Sequence, residues 1–364
     1  MDVTRVYEIK LKPNKSQVKQ LNQYFYEAKV LYNYLLTCSN IFAVNSCKIK
    51  HPWKYDKDHN RVTVELISLP SKLKQNVHRQ IMDSIKALAT SKSKGNKVGR
   101  LKFKSETRTI ELDNQCYKIA DSHHVKLSGF GRKKIRALGL HQFNSVIKYR
   151  NAKLMKRGDE FFLKICVLKS IEDHQTTGVS VGIDFGIETN ITLSTGEKIN
   201  CKISETSRLK RLQRKLSRSL VVNHNKKTKN QQKIVHQIHK EYQKITNKKK
   251  DFTNKLIHYL DTSFDKIVFQ DESLQGWRNL DSCKRTIQHS CLGSIKGKLI
   301  EKKSENSDRY IMLSKWIPTT QHCPQCGKKN IHKLDERIYH CSCGYTEDRD
   351  IHAAKNMILF ALQS

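Results

Sequence analysis

Two cysteine pairs near the C-terminal end, Cys323-Pro324-Gln325-Cys326 and Cys341-Ser342-Cys343-Gly344, constrain this chain more than any other feature. Four thiols at this spacing, with Gly327 and Gly344 following the pairs, have the donor count and knuckle pattern of a closed four-cysteine zinc site. Such a site has no coordination position open for chemistry, so the expected Zn²⁺ is structural. His322, His332 and His340 lie near enough in sequence to compete as ligands, but four cysteines make them unnecessary. The second pair runs within a few residues into Asp348-Arg349-Asp350-Ile351-His352-Ala353-Ala354, which reads as an acidic helix start. Asp348 is the expected N-cap. Asp350 is a candidate catalytic carboxylate, or else a first-turn acid favoured by the helix dipole. Ile351, Ala354, Ile358 and Leu362 are spaced as a buried stripe, and Ala353 with Ala354 permits close approach to a sheet.

Two further carboxylates stand on strand-like segments. In Val179 to Ile187 the odd positions are all apolar, while Ser180, Gly182, Asp184 and Gly186 share the other face. Asp is depleted in strands, and a buried charge needs a partner. A metal ion supplies one, and the glycines flanking Asp184 suggest open space above it; a salt bridge to Lys or Arg is the alternative. Lys266 to Glu272 is a second apolar strand ending in two acids, and alternation puts Glu272 on the face of Val268 and Gln270, opposite Asp271. Glu272 is then either a site residue or a strand-end acid meeting solvent. Three separate carboxylates, Asp184, Glu272 and Asp350, are what two Mg²⁺ ions roughly 4 Å apart require for phosphodiester hydrolysis.

Charge narrows the partners. The chain carries 69 Lys and Arg against 34 Asp and Glu, a formal net charge of +35, and few partners other than nucleic acid suit such a field. The charge is clustered: Arg208 to Lys250 holds fifteen Lys or Arg and one acid, Glu241. Leucines and isoleucines recur there at helical intervals, which predicts a basic helical hairpin turning near Asn223-His224-Asn225. With almost no acids for i, i+4 pairing such a hairpin repels itself unless phosphates neutralise it, although a solvated face is the plainer reading. Arg208, Arg211, Arg214, Lys215, Arg218, Lys226 and Lys227 are the candidate nucleic-acid contacts. Outside the quartet the remaining seven of eleven cysteines are scattered, Cys201 and Cys291 among them, which suits a reducing compartment. The start lacks an apolar signal core and no segment approaches the roughly 18 apolar residues of a membrane span, so a cytoplasmic location with no membrane partner is expected.

The remaining segments suggest an organisation. Residues 3 to 12 alternate as a strand, Pro13-Asn14-Lys15-Ser16 offers a turn and helix cap, and Val18, Leu21, Phe25, Ala28, Leu31, Tyr32 and Leu35 follow at helical spacing. Helical character continues to about residue 90, interrupted near Pro52 and Pro70, and Tyr24, Tyr32 and Tyr34 read as packing residues more than base-stacking ones. Ser91 to Arg100 is a glycine, serine and lysine hinge, after which short β runs appear, with Arg157-Gly158-Asp159-Glu160 as a hairpin turn. The first strand could join this later sheet, making the helical block an insertion.

Gly182-Ile183-Asp184-Phe185-Gly186, Ile267 to Trp277, Cys323-Pro324-Gln325-Cys326-Gly327, Cys343-Gly344 to Asn356, and the opening Tyr7 to Asn33 together resemble the TnpB (OrfB) RNA-guided nucleases of insertion sequences, relatives of the compact type V CRISPR effectors. The resemblance implies an α/β multidomain chain. A β-rich wedge domain (1–12 and 98–177) carries a helical recognition insert (13–97), and an RNase H-like RuvC nuclease core (178–319 and 346–364) is interrupted by a zinc-ribbon target-loading element (320–345). It implies Asp184, Glu272 and Asp350 as the Mg²⁺-binding catalytic triad, a guide RNA, and cleavage of double-stranded DNA beside a short flanking motif. Many relatives read Glu-Asp-Leu after the second apolar strand, which puts their acid at Gln270, and usually carry Asn at His352. An RNA-guided DNA binder without cleavage, and a strand-joining DNA transposase, are the competing functions. The oligomeric state is left open.

Overall fold

The computed structural model describes residues 2–56, 58–170, 177–222, 228–331 and 336–363. The chain divides into two units, Met1–Glu172 and Asp173–Ser364.

In the first unit, strand β1 (Asp2–Lys12) leads into helix α1 (Lys15–Leu35) through a capping box. The Asn14 side chain accepts from the Gln17 amide at 2.9 Å, and the Gln17 side chain accepts in return from the Asn14 amide at 3.0 Å. Leu21, Phe25, Ala28, Leu31, Tyr32 and Leu35 form the buried stripe of α1, as their spacing predicts, and Tyr24 and Tyr32 are core residues. Between Pro52 and Pro70 lies a small hairpin, β2 (Trp53–Tyr55) and β3 (Arg61–Thr63), where continued helix is expected. Helix α2 (Ser71–Ser93) then runs into the first residues of the anticipated hinge. Strands β4 (Thr109–Leu112), β5 (Tyr117–Asp121), β6 (His124–Leu127), β7 (Ile135–Leu138), β8 (Val146–Arg157) and β9 (Glu160–Ser170) complete the unit. They form one antiparallel sheet with β1, in the order β4-β8-β9-β1-β7-β6-β5. Because β1 pairs with β9 from Asp2 opposite Ser170 to Leu11 opposite Phe161, the helical segment leaves and re-enters a single sheet. Gly158, at φ +60°, supports the tight turn where Arg157 faces Glu160.

The second unit opens with β10 (Ser180–Phe185), β11 (Ile191–Leu193) and β12 (Lys198–Ile199), an antiparallel meander. Helices α3 (Ser207–Val222) and α4 (Lys229–Ser263) follow, packed through Leu209, Leu212, Ile234 and Ile238. The anticipated turn at Asn223-His224-Asn225 lies outside the described residues. Strand β13 (Lys266–Gln270), helices α5 (Leu274–Asn279), α6 (Asp281–His289) and α7 (Leu292–Glu305), and strand β14 (Tyr310–Leu313) complete the sheet, ordered β12-β11-β10-β13-β14. Parallel pairing of β10 with β13, and of β13 with β14, lets apolar side chains of both strands enter one core. There Val181, Ile183, Phe185 and Phe269 meet Leu256, Leu260, Leu292, Ile295 and Leu299 of α4 and α7; each fully buried side chain contributes roughly 1.5–3 kcal/mol. Cys201 and Cys291, taken from sequence as scattered thiols, are joined by a disulfide in this core, with Cα atoms 5.7 Å apart. The ribbon strands β15 (Ile338–His340) and β16 (Thr346–Asp348) lead directly into α8 (Arg349–Leu362).

Helix α8 covers the opposite face of the sheet. Its buried side is His352, Ala353, Ala354, Asn356 and Met357, whereas Ile351 and Ile358 are partly buried and Leu362 is 67% exposed. The expected stripe is therefore rotated, because polar anchors described below turn the helix toward the ribbon. No helix among the described residues is long and apolar enough to cross a membrane.

Candidate functional site

The thiols of Cys323, Cys326, Cys341 and Cys343 lie within 4.8 Å of one another, the one such group of three or more potential ligands among the described residues. Cys323 and Cys343 sulfurs are 3.6 Å apart, and Cys326 and Cys341 sulfurs 3.5 Å. A tetrahedral ion with zinc–sulfur bonds of about 2.3 Å sets sulfurs roughly 3.8 Å apart, so the quartet fits a zinc-sized ion with little movement. Two knuckles build it: the Gly327 amide donates to the Cys323 carbonyl at 2.9 Å, and the Gly344 amide to that of Cys341 at 3.0 Å. Both glycines take the left-handed backbone, φ +70° and +90°, that this turn requires. The hydrogen bond from the Cys343 amide, with the neighbouring thiols, lowers the Cys341 thiol to about 6 while the same thiols raise that of Cys343, so the group gives up its protons in sequence, Cys341 first. His322 packs edge-on against Phe360 and His340 meets the Thr346 hydroxyl, so neither belongs to the group. His332 lies outside the described residues.

Asp184, on β10, and Asp350, in the first turn of α8, line one cleft of about 750 Å³ together with Lys202, Trp277 and Arg349. The Asp184 carboxyl is pushed well above the ordinary carboxylate range, first by burial and then by the charges of Asp350 and Glu272, with Arg349 opposing. The glycines beside Asp184 do not open space as expected. A Cβ on Gly182 would sit 1.8 Å from the Ala354 carbonyl, and one on Gly186 would sit 2.4 Å from that of Thr189. Gly182 is there because α8 packs backbone to backbone on β10, which carries Asp350 toward Asp184. Asp348 is the N-cap, accepting from the Asp350 and Ile351 amides at 3.1 and 3.2 Å and from Lys198 at 2.6 Å. Burial raises the Asp348 carboxyl, but these bonds outweigh it and leave it below the usual range.

Glu272 is placed differently. Strand β13 ends at Gln270, and the chain turns at once: the Asp271 amide donates to Leu313 and the Glu272 amide back to Gln270, both at 2.9 Å. Face alternation therefore does not extend to Glu272. Its side chain lines a second cleft, of about 490 Å³, with Asp271, Lys296, Lys315 and Trp316. Burial raises its carboxyl while Lys296 opposes. Asp184 and Asp350 thus share a cleft, and Glu272 reaches Asp184 through its charge from a cleft of its own.

Sequence reasoning missed the buried amides beneath these clefts. Gln270, 4% exposed, donates to the carbonyls of Ser314 (3.0 Å) and Ile317 (2.8 Å) and accepts from the Thr319 hydroxyl (3.3 Å). Asn356 of α8, 1% exposed, donates to the carbonyls of Thr319 and His322, both at 2.7 Å. His352 is fully buried, stacked 3.7 Å from the Tyr339 ring of the ribbon and 3.1 Å from the Asn356 amide. These three side chains tie sheet, ribbon and α8 together. The available signal was polar residues within a strand and a helix that are otherwise apolar.

On the basic hairpin, Arg208, Arg211, Arg214, Lys215 and Arg218 are all exposed. Arg208 lies 3.6 Å from the buried Glu241, which Lys244 also meets at 2.7 Å, so the run's one acid is already neutralised. Lys226 and Lys227 lie outside the described residues.

Residues 164–272, which hold β10 and β13, match the OrfB model of the IS605 type, described as probable transposase, and residues 293–357, which hold the thiol quartet, match the Cas12f1-like TNB domain. A putative RNA-guided DNA endonuclease of Streptomyces pristinaespiralis is 28% identical over 210 residues, 57% of this chain and 51% of that protein. TnpB-like protein L79 of Acanthamoeba polyphaga mimivirus is 29% identical over 147 residues, 38% of this chain and 28% of that protein. The chain is similar to OrfB and TnpB-like proteins. The matched stretch spans about half the length of the first of these relatives and about a quarter of the second. A solved Cas12f1–sgRNA–target DNA complex aligns over 98% of both chains at 12% identity, with a TM-score of 0.26 that carries no argument.

Proposed function

We propose that this chain is an RNA-guided, metal-dependent DNA endonuclease associated with a transposon, acting in the cytoplasm on double-stranded DNA beside a short flanking motif. The observation that carries the reading is the meeting of Asp184 and Asp350 in one cleft, with the charge of Glu272 reaching Asp184 from a cleft of its own, in a strongly basic chain that also holds a thiol quartet and is similar to a putative RNA-guided DNA endonuclease. The five-stranded unit supports an RNase H-like RuvC core (178–319 and 346–364), with 320–345 as a zinc-ribbon target-loading element. The seven-stranded unit supports a wedge domain (1–12 and 98–177) with 13–97 as its helical recognition insert.

A carboxyl raised first by burial and then by neighbouring acids, with Arg349 only partly opposing, is a donor set short of positive charge, which fits a hard divalent cation such as Mg²⁺. Asp184, Asp350 and Glu272 would hold it. When bound, Mg²⁺ supplies an activated water and neutralises charge on the departing oxygen. The chain's own groups do the positioning: Lys202 and Arg349 offer positive charge to a phosphodiester entering the Asp184 cleft. Lys296 fixes the turn that carries Glu272, binding the Asp271 carboxylate and the Glu272 carbonyl, each at 2.6 Å. The exposed cations of α3 grip RNA or DNA backbone, leaving sequence to guide pairing.

A second reading, RNA-guided DNA binding without cleavage, is favoured by the separate cleft of Glu272. Cleavage of a guide-matched target in Mg²⁺, compared between the parent and Asp184→Ala, decides. Equal cutting by the two sinks the active-site assignment, and target occupancy without cuts in the parent supports the second reading.

A further inference from the structure

The segment leaving β14 turns sharply, with the Ile317 amide donating to the Ser314 carbonyl at 3.1 Å and the Trp316 amide to the Ser314 hydroxyl at 3.4 Å. Gln270 pins this turn from the protein interior, spending its amide on the carbonyls of Ser314 and Ile317. A buried amide with both carbonyls satisfied is a rigid mount. What it mounts is not buried: Trp316 is 81% exposed at the tip. A large aromatic held in water on an anchored turn forgoes the burial that usually justifies tryptophan. The Lys315 ammonium lies 4.7 Å from the Trp316 ring centre, and both residues line the cleft that holds Glu272.

We infer that Trp316 is a stacking platform for a nucleobase of a single strand, with Lys315 meeting an adjacent phosphate, so that the nucleotide is fixed beside Glu272. An outward aromatic face next to a cation combines the two interactions from which sequence-tolerant single-strand binding is built. The cleft wall sets Asp271, Ser273, Gln275 and Lys296 beside Leu274, so charged and hydrogen-bonding groups accompany the aromatic ring there. A net charge of +35 selects a polyanion. The inference rests on the nucleic-acid reading above and names the strand contact within it.

The test uses the full chain at low salt without added Mg²⁺. Dye-labelled oligo-dT and an abasic deoxyribose-phosphate oligomer of equal length are titrated by anisotropy, with tryptophan emission followed in parallel. The chain has three tryptophans, Trp53, Trp277 and Trp316, and quenching assigned to Trp316 is expected with dT alone. Oligo-dT is expected to bind about 5- to 150-fold tighter than the abasic oligomer. Trp316→Leu should remove most of that ratio and Trp316→Phe should keep most of it; both should melt like the parent because the ring is exposed. An unchanged ratio in Trp316→Leu, or a fall in Trp316→Phe as deep as in Trp316→Leu, overturns the inference while leaving nucleic-acid binding standing. Failure of the parent to bind either oligomer overturns that broader reading and this one with it.

Discussion

The thiol quartet and the three carboxylates are both sets of metal-type donors in one unit, yet they are assembled in opposite ways. The thiols come from two knuckles closed by their own amides, and their sulfurs gather within 4.8 Å. The carboxylates come from a strand, a post-strand turn and a helix start, and occupy two clefts. The first site needs mainly local turns; the second exists only once sheet, helix and ribbon are packed. A structural centre can thus form early and brace the elements a reactive centre depends on. The sharpest break in this comparison is Asp184→Ala, expected to slow guide-directed cleavage by on the order of 10³-fold or more, since several kcal/mol of charge stabilisation are lost. Zinc content, read by metal analysis of the same variant, should not change. If zinc falls with activity, the two sites are not separable.

Cys323→Ser tests the reverse direction. The variant should lose its zinc, read by mass spectrometry under native conditions. Cleavage should fall roughly 10- to 100-fold, comparable to losing the groups that orient a metal site. The route is physical: Cys323 follows His322, whose carbonyl Asn356 holds, and Asn356 belongs to the helix that carries Asp350. Full zinc occupancy, or unchanged cleavage after proven zinc loss, would show that the ribbon does not brace the clefts.

The contrast also explains what could be read from residues alone. Cys323, Cys326, Cys341 and Cys343 were legible because spacing and glycines encode the knuckles locally, and the capping roles of Asn14 and Asp348 were legible for the same reason. The alternation of Val181, Ile183 and Phe185 gave the buried face of β10. The meaning of Gly182 was not legible, because the Ala354 carbonyl that fills its space comes from 172 residues away, a separation only the fold can close. Glu272 was misplaced by extending strand periodicity through a turn whose hydrogen bonds run to Leu313 and Gln270. Of the α8 stripe Ala354 is buried as expected, Ile351 and Ile358 are partly buried and Leu362 is exposed, since apolarity was counted as burial, while His352 and Asn356 are buried by the stack and hydrogen bonds they make.

Asp184→Asn measures the cost of burying this charge, to which the neighbouring acids add, without any catalysis. A carboxyl whose folded-state pKa is raised destabilises the fold wherever it ionises: the penalty is complete above the folded pKa and absent below the unfolded value of 3.8. Without added Mg²⁺ at neutral pH the variant should therefore melt higher than the parent, at about 2–4 °C for each kcal/mol relieved. The gain should shrink as pH falls through the raised pKa and vanish below the ordinary carboxylate range. Mg²⁺ should raise the parent's Tm more than the variant's. A lower Tm for Asp184→Asn at neutral pH would mean that the carboxylate already has a stabilising partner, as a buried salt bridge would give.

The smallest expected effect separates Asp348 from both metal sets. It ends the ribbon strand β16 just before helix α8, and its charge is among those felt at Asp184, so a metal role is the natural confusion. The geometry assigns it to capping and to the Lys198 ion pair. Asp348→Ala should cost about 1 kcal/mol, the usual loss for an N-cap, and Asp348→Asn only a few tenths, because Asn caps comparably and a half-exposed ion pair adds little. The Asp348 carboxyl is held below the usual range, so its contribution is present above pH 3.8 and lost as pH falls through the depressed pKa. The Asn variant should consequently converge with the parent in acid. Because an amide cannot replace a carboxylate on a hard divalent ion without a large loss, near-parental cleavage by Asp348→Asn is the expected result, and a collapse comparable to Asp184→Ala would move Asp348 into the metal-binding set.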